Sequence, residues 1–203
     1  YMLKMGRLIE EQGISSLAMF SGASGIGLSA VCLSHNRTRY ASFIENINSF
    51  IEKLIKKLVL ELKSKKDIHM SDYDVIEGLC GVANYCMLFN NDNKMKEALI
   101  LIVEYIIEIC KDKVWDNLVI PGWYIPAENQ FLKHDKDLWP NGCFNIGLSH
   151  GIPGMLLVLC NSAKLEIKLP NQIETIIKIS DFLMKFHIED DEKNYWGSHI
   201  SLE

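Results

Sequence analysis

The chain has 203 residues, 48% of them hydrophobic and 23% charged, a balance that fits one folded domain with its own core and excludes a disordered segment. Lys and Arg number 21 against 26 Asp and Glu, a net charge of −5, which speaks against nucleic acid as a partner because such binders carry a basic patch or stripe. The longest apolar run, residues 98–110, is broken by two glutamates and falls short of the roughly 20 residues that span a bilayer.

In chain order, residues 20–31 (FSGASGIGLSAV) open a theme: a polar residue, Gly-x-x-Gly, then an apolar run. It returns at 76–87 (IEGLCGVANYCM) and 149–159 (SHGIPGMLLVL), with Ser21, Glu77 and His150 preceding the leading glycines Gly22, Gly78 and Gly151. Those glycines lie 56 and 73 residues apart, an irregular spacing that predicts helical-hairpin repeats with loops of different length.

Amphipathic segments separate the repeats. Residues 42–64 place Phe43, Ile47, Phe50, Ile51, Leu54 and Ile55 at helical spacing, with Ser42 and Glu45 as a predicted capping box. The lysines of 52–66 alternate with acidic residues and read as a solvated face. Residues 93–112 and 170–189 form further predicted helices, the second with Pro170 in its opening turn. No segment alternates at period two over a strand length, so the fold class is all-α.

An apolar-all-round helix must be buried, and an amphipathic one can cover it. Repeated pairs of this kind predict an α/α toroid, a double-layered helical barrel built of helical-hairpin repeats, as a single domain over 1–203. The glycine-headed helices would form the inner ring, with Ser21, Glu77 and His150 facing one centre. Residues 114–146 break the pattern, with three of the four tryptophans, three of the five prolines and no helical period. Their aromatic content predicts an ordered rim loop over the mouth of the barrel. The six cysteines are dispersed without a CxxC pair, as in a reduced, cytoplasmic protein.

His150 is the first candidate for chemistry, because imidazole titrates near neutrality and can move a proton. A loop histidine bonded to backbone is the alternative. Asp74 could orient that imidazole, or cap a helix in a box with Glu77, and the two roles are compatible. Asp72 competes as a cap, and Glu77 reads as a carboxylate bonding amides at a helix start. Asp74 and Glu77 as the acid and base of a carbohydrate hydrolase is a further reading, weakened because one helical turn sets the carboxyls side by side. Cys143 and His150 are seven apart and Cys80 and Cys86 six apart, neither a ligand spacing, so no metal site is predicted within the chain.

The segments DVIEGLCGVANYCM, GWYIPAENQF and WPNGCFNIGLSHGIPGMLLVL, in that order after SLAMFSGASGIGLSAV, resemble the lanthipeptide (lantibiotic) cyclases, the LanC family. The resemblance implies a zinc-containing α/α barrel that adds cysteine thiols of a ribosomally made precursor peptide to dehydroalanine or dehydrobutyrine, forming thioether rings. It implies His150 and Asp74 as catalytic residues, and a rim in which Trp123, Tyr124, Phe144 and Asn145 bind the substrate. It also implies a dehydratase and a transporter of the same pathway as partners, and a cytoplasmic place, peripheral at the inner membrane face through those partners. The family's zinc ligands come from W-C-Y-G-x-P-G and C-H-G motifs, and neither occurs in this sequence. The chain therefore resembles the N-terminal half of such a cyclase and is expected to be inactive alone. A half ring would expose apolar inner faces, to be covered by a second copy, a complementary polypeptide or a rearranged bundle. The alternative is a non-catalytic peptide-binding or scaffold module derived from the same fold.

Overall fold

The computed structural model describes residues 2–190 and 192–202. A first helix, α1 (Met2–Gln12), buries none of its residues. Helices α2 (Ala23–Cys32) and α3 (Ala41–Lys63) form a hairpin, and a single turn, α4 (Met70–Tyr73), leads to a second hairpin, α5 (Leu79–Met87) with α6 (Asn93–Ile109). After the rim segment and its short helix α7 (Lys133–Leu138) comes the third hairpin, α8 (Ile152–Lys164) with α9 (Gln172–Lys185). Helix α5 packs between α2 and α8, while α3 and α6 pack against each other and back their own partners. Two layers result, and the glycine-headed helices form the inner one.

The stripe on α3 shows why these residues fold this way. Ile47, Ile51 and Ile55 are buried together with Ile44, Val59 and Leu62, each worth about 1.5–3 kcal/mol on burial. Phe43 and Phe50 pack against the core partly buried, and Leu54 stays half out of it. One polar residue sits in the stripe: Asn48, which accepts a hydrogen bond from the Tyr85 hydroxyl at 2.8 Å. Gly27 of α2 leaves room for that tyrosine, whose ring would collide with any Cβ there. A single buried phenol thus locks α2, α3 and α5 together.

Helix starts differ from the sequence expectation at two points. Helix α3 begins at Ala41 behind a left-handed Tyr40 (φ 60°), so Ser42 lies inside it and does not cap it. Helix α9 begins after a left-handed Asn171 (φ 62°), so Pro170 precedes the helix and is not part of its first turn. Pro153, by contrast, does sit in the first turn of α8. Residues 114–146 are not one loop. Strands β1 (Asp112–Trp115) and β2 (Leu118–Pro121) form a hairpin whose turn residues Asp116 and Asn117 both take positive φ, at 46° and 65°. Strand β3 (Cys143–Asn145) follows α7, and β4 (His187–Glu189) pairs with β5 (Asn194–Trp196). Strand β6 (His199–Ser201) returns to pair with β3, placing His199 opposite Asn145. These ribbons decorate a helical architecture. No described helix is long and apolar enough to cross a membrane.

The three repeats meet at one rim. Gly22, Gly78 and Gly151 each cap an inner helix in extended conformation (φ −124°, −94° and −112°). A Cβ at each would fall on backbone atoms of the turn that precedes it: Ser16 and Ala18, Tyr73 and Asp74, or Asn145 and Gly147. Close approach, not a special φ, is what demands glycine. The turns are stapled in series, since the Met19 and Phe20 amides donate to the Ile76 carbonyl (3.1 and 3.0 Å) and the Val75 amide donates to the Ser149 carbonyl (3.2 Å).

Replacing Gly78 with Ala is expected to destabilise the protein by about 2 kcal/mol or more, because backbone cannot yield as a side chain can. The contrast is Gly6 in α1, where nothing lies within 4 Å of a Cβ. Gly6→Ala should stabilise the chain by roughly 0.5–1 kcal/mol through helix propensity. Denaturant midpoints of the two variants check this, and equal shifts would refute the close-approach account.

Candidate active site

The rim positions one carboxylate with unusual economy. Asp74 follows α4 and is 1% exposed. Its Oδ1 accepts hydrogen bonds from the Ile76, Glu77 and Gly78 amides at 3.0, 2.7 and 2.8 Å, those of the turn that leads into α5 and of its N-cap residue. Its Oδ2 lies 2.6 Å from His150 Nδ1. An acceptor at both oxygens dictates that Nδ1 carries the hydrogen, leaving Nε2 as the open edge of the ring. The His150 side chain is 41% exposed, while the Asp74 side chain that anchors it is 1% exposed.

The approach to His150 is braced as well. Asn145, 4% exposed, accepts the Gly147 amide at 3.0 Å through Oδ1 and directs Nδ2 to the Met70 sulfur at 3.8 Å. The Val75–Ser149 staple fixes the residue before His150. Glu77 is exposed and accepts a bond from the Ser21 hydroxyl at 3.3 Å. Of the three rim residues expected to share a centre, Ser21 and Glu77 therefore pair with each other, and His150 pairs with Asp74. Asp72 caps α4, accepting the His69 amide at 2.9 Å, and pairs with Lys65 at 2.5 Å. With both oxygens of Asp74 engaged and the group buried, Asp74 and Glu77 do not form the free carboxyl pair a hydrolase needs.

The aromatic residues expected on the substrate side lie inside. Trp123 (0% exposed) packs edge-on against Phe182, and Tyr124 (1%) packs against Trp115 and Phe144 and donates to the Asn141 carbonyl at 2.5 Å. Phe144 (5%) also packs on Phe182. Each ring buries a large apolar area that would be forfeited at the surface, which is why these rings with Asn145 support the rim from beneath and do not face solvent. The apolar groups that do stand out around the site are Phe20, Phe131 and Leu148, at 79%, 64% and 71% exposure. Their only sequence signal was proximity to the glycine turns and to the rim loop.

The residues present do not fit a zinc ion. Among the described residues no three His, Cys, Asp or Glu side chains gather to hold a metal. Burial pushes the Cys86 and Cys110 thiols up to about 12 and Cys143 up to about 11. A coordinating or reactive thiol needs the opposite direction, so these are core groups.

The pattern of the lanthionine synthetase C-like protein family matches residues 1–202. The chain belongs to that family. It is 29% identical over 184 residues to the nisin biosynthesis protein NisC of Lactococcus lactis subsp. lactis, covering 91% of this chain and 43% of that protein. The solved structure of nisin cyclase superposes with a TM-score of 0.86 at 27% identity, covering 99% of this chain and 48% of that one. The three hairpins are thus consecutive staves of an α/α toroid, and the chain spans about half the length of these relatives.

Two outcomes follow for the site's construction. Asp74→Ala should cost about 3 kcal/mol, since it orphans three amides and removes the partner of the His150 ring, whereas Asp74→Asn keeps an acceptor and should cost less. Chemical denaturation of both variants measures the difference, and equal costs would sink the carboxylate-staple account. In native protein at pH 8, iodoacetamide should modify the exposed Cys32 first and leave Cys80, Cys86, Cys110 and Cys143 untouched until unfolding, as read by peptide mass mapping.

Proposed function

We propose that the Asp74–His150 pair serves lanthipeptide cyclisation: addition of a peptide cysteine thiol to a dehydroalanine or dehydrobutyrine of a ribosomally made precursor. The observation that carries this reading is the 2.6 Å bond that leaves Nε2 open at an exposed rim. In the reaction the thiol sulfur forms a bond to the β-carbon, the carbon–carbon π bond breaks, and its electron pair moves toward the carbonyl. The thiol proton is taken up by Nε2, and the imidazolium returns it to the α-carbon, so the histidine ends as it began. Asp74 holds the tautomer and stabilises the transient imidazolium. Trp123, Tyr124, Phe144 and Asn145 act by holding this turn in place.

The family's zinc would hold the attacking thiol as thiolate, and the described residues supply no seat for it. No step above runs through it. The chain as given is therefore proposed to take up and return the proton without lowering the thiol's own pKa, and to need the rest of a cyclase for turnover. The second reading is a module that binds peptide without closing rings.

Ring closure leaves peptide mass unchanged and removes one alkylatable thiol per ring, so alkylation followed by mass spectrometry counts rings. In the intact protein, His150→Ala should slow ring formation by about 10²–10⁴-fold with peptide still bound. Wild-type rates in that variant would end the proposal, and binding without any ring formation in the unaltered protein would establish the module reading.

A further inference from the structure

One hydrogen bond does not fix a half-exposed imidazole. The Asp74 contact pins the Nδ1 edge of His150, yet the ring can still swing about that edge and carry Nε2 away from the reacting carbon. A second aromatic group lies beside the ring, offset and nearly parallel to it. Phe131 stands nearly parallel to the imidazole, with 19° between the planes and 6.4 Å between centroids, within the range of stacked aromatic pairs. It does so at 64% exposure, a position that apolar burial alone does not explain.

The placement of Phe131 is built from both sides. Before it, the buried Gln130 side chain donates to the Ile125 and Pro126 carbonyls at 3.2 and 3.4 Å. After it, the Leu132 amide donates to the Asp135 carboxylate at 3.1 Å, closing the cap of α7. The Asn129 side chain adds a bond to the Ile68 carbonyl at 3.1 Å, which ties this segment to the α3–α4 connection. A short stretch anchored at Asn129, Gln130 and Leu132 thus presents one phenyl ring to one imidazole.

We propose that Phe131 is a positioning residue for His150: Asp74 fixes the ring's edge, Phe131 fixes its plane, and together they aim Nε2. This rests on the cyclase reading of the site. Phe131 acts through His150 and makes no demand on the peptide, so its removal should appear in turnover and not in peptide affinity.

The test uses the intact protein with Phe131→Leu, which keeps an apolar side chain, and Phe131→Tyr, which keeps the aromatic face. Loss of aim should lower kcat for ring formation about tenfold in Phe131→Leu with KM within about twofold, while Phe131→Tyr stays near the parent. In parallel, the His150 ring protons should show a ring-current shift by NMR in the parent and in Phe131→Tyr, lost in Phe131→Leu at unchanged folding by circular dichroism. A raised KM at unchanged kcat would overturn the proposal by making Phe131 a peptide contact. Unchanged kinetics would overturn it too, as would ring protons that ignore the substitution. No ring formation by the parent protein would instead sink the cyclase reading, and the NMR shift would still decide whether Phe131 orients His150.

Discussion

The rim depends on how one buried carboxylate is satisfied. Burying a charge without partners is costly enough that proteins avoid it, so Asp74 must find donors for both oxygens. It finds three amides at the head of α5 and one imidazole from the turn before α8. The first set neutralises a helix start, where a negative group also meets the favourable end of the helix dipole. The second ties the third repeat to the second. The bonds that close the barrel rim are therefore the same bonds that orient the candidate acid–base group. Weakening one function weakens the other.

That coupling works only because the turns approach one another closely. Each leading glycine sits where a Cβ would strike backbone, and Val75 fills the space left by the second glycines Gly81 and Gly154. Three backbone hydrogen bonds then run across the turns from Met19 and Phe20 to Ile76 and from Val75 to Ser149. Helices beneath can vary in length, as the loops between them do, while the rim stays in register. Toward the other side, Ile173, Ile177 and Met184 remain 57%, 53% and 62% exposed along α9, with Leu157 at 45% on α8. In a ring each hairpin has two neighbours, and this stripe is the side on which the third hairpin meets none among the described residues.

Much of this was legible in the sequence, because it follows from periodicity and backbone chemistry. The glycine theme marked the inner helices, the amphipathic stripes marked the outer ones, and Asp74 and His150 stood beside the glycines that bring them together. What the sequence hid was direction. Trp123, Tyr124 and Phe144 were natural candidates for a peptide-facing rim, yet the same apolar area that would grip a ligand is worth more in the interior. Phe131 and Leu148 carried no distinguishing pattern and turned out to be the exposed ones. The strands were too short for alternation to register, although the Asp116-Asn117 pair was a readable two-residue turn signal. Left-handed starts such as Tyr40 and Asn171 have no cap residue to announce them.

The pairing of a rigid rim histidine with core thiols divides the chemistry in a definite way. Cys80, Cys86, Cys110 and Cys143 are buried, and burial holds their thiols protonated, which suits packing and prevents them from competing for an electrophile. Under the cyclase proposal, any of them activated near His150 would compete with the peptide's own cysteine for the dehydrated residue. A site of the proposed kind gains from keeping its own thiols neutral and enclosed. The proton-handling group can then sit in the open, fixed at its edge by Asp74, without generating a rival nucleophile. On the proposed cyclase reading, keeping the chain's own thiols protonated and enclosed is thus a selectivity device as well as a consequence of core packing.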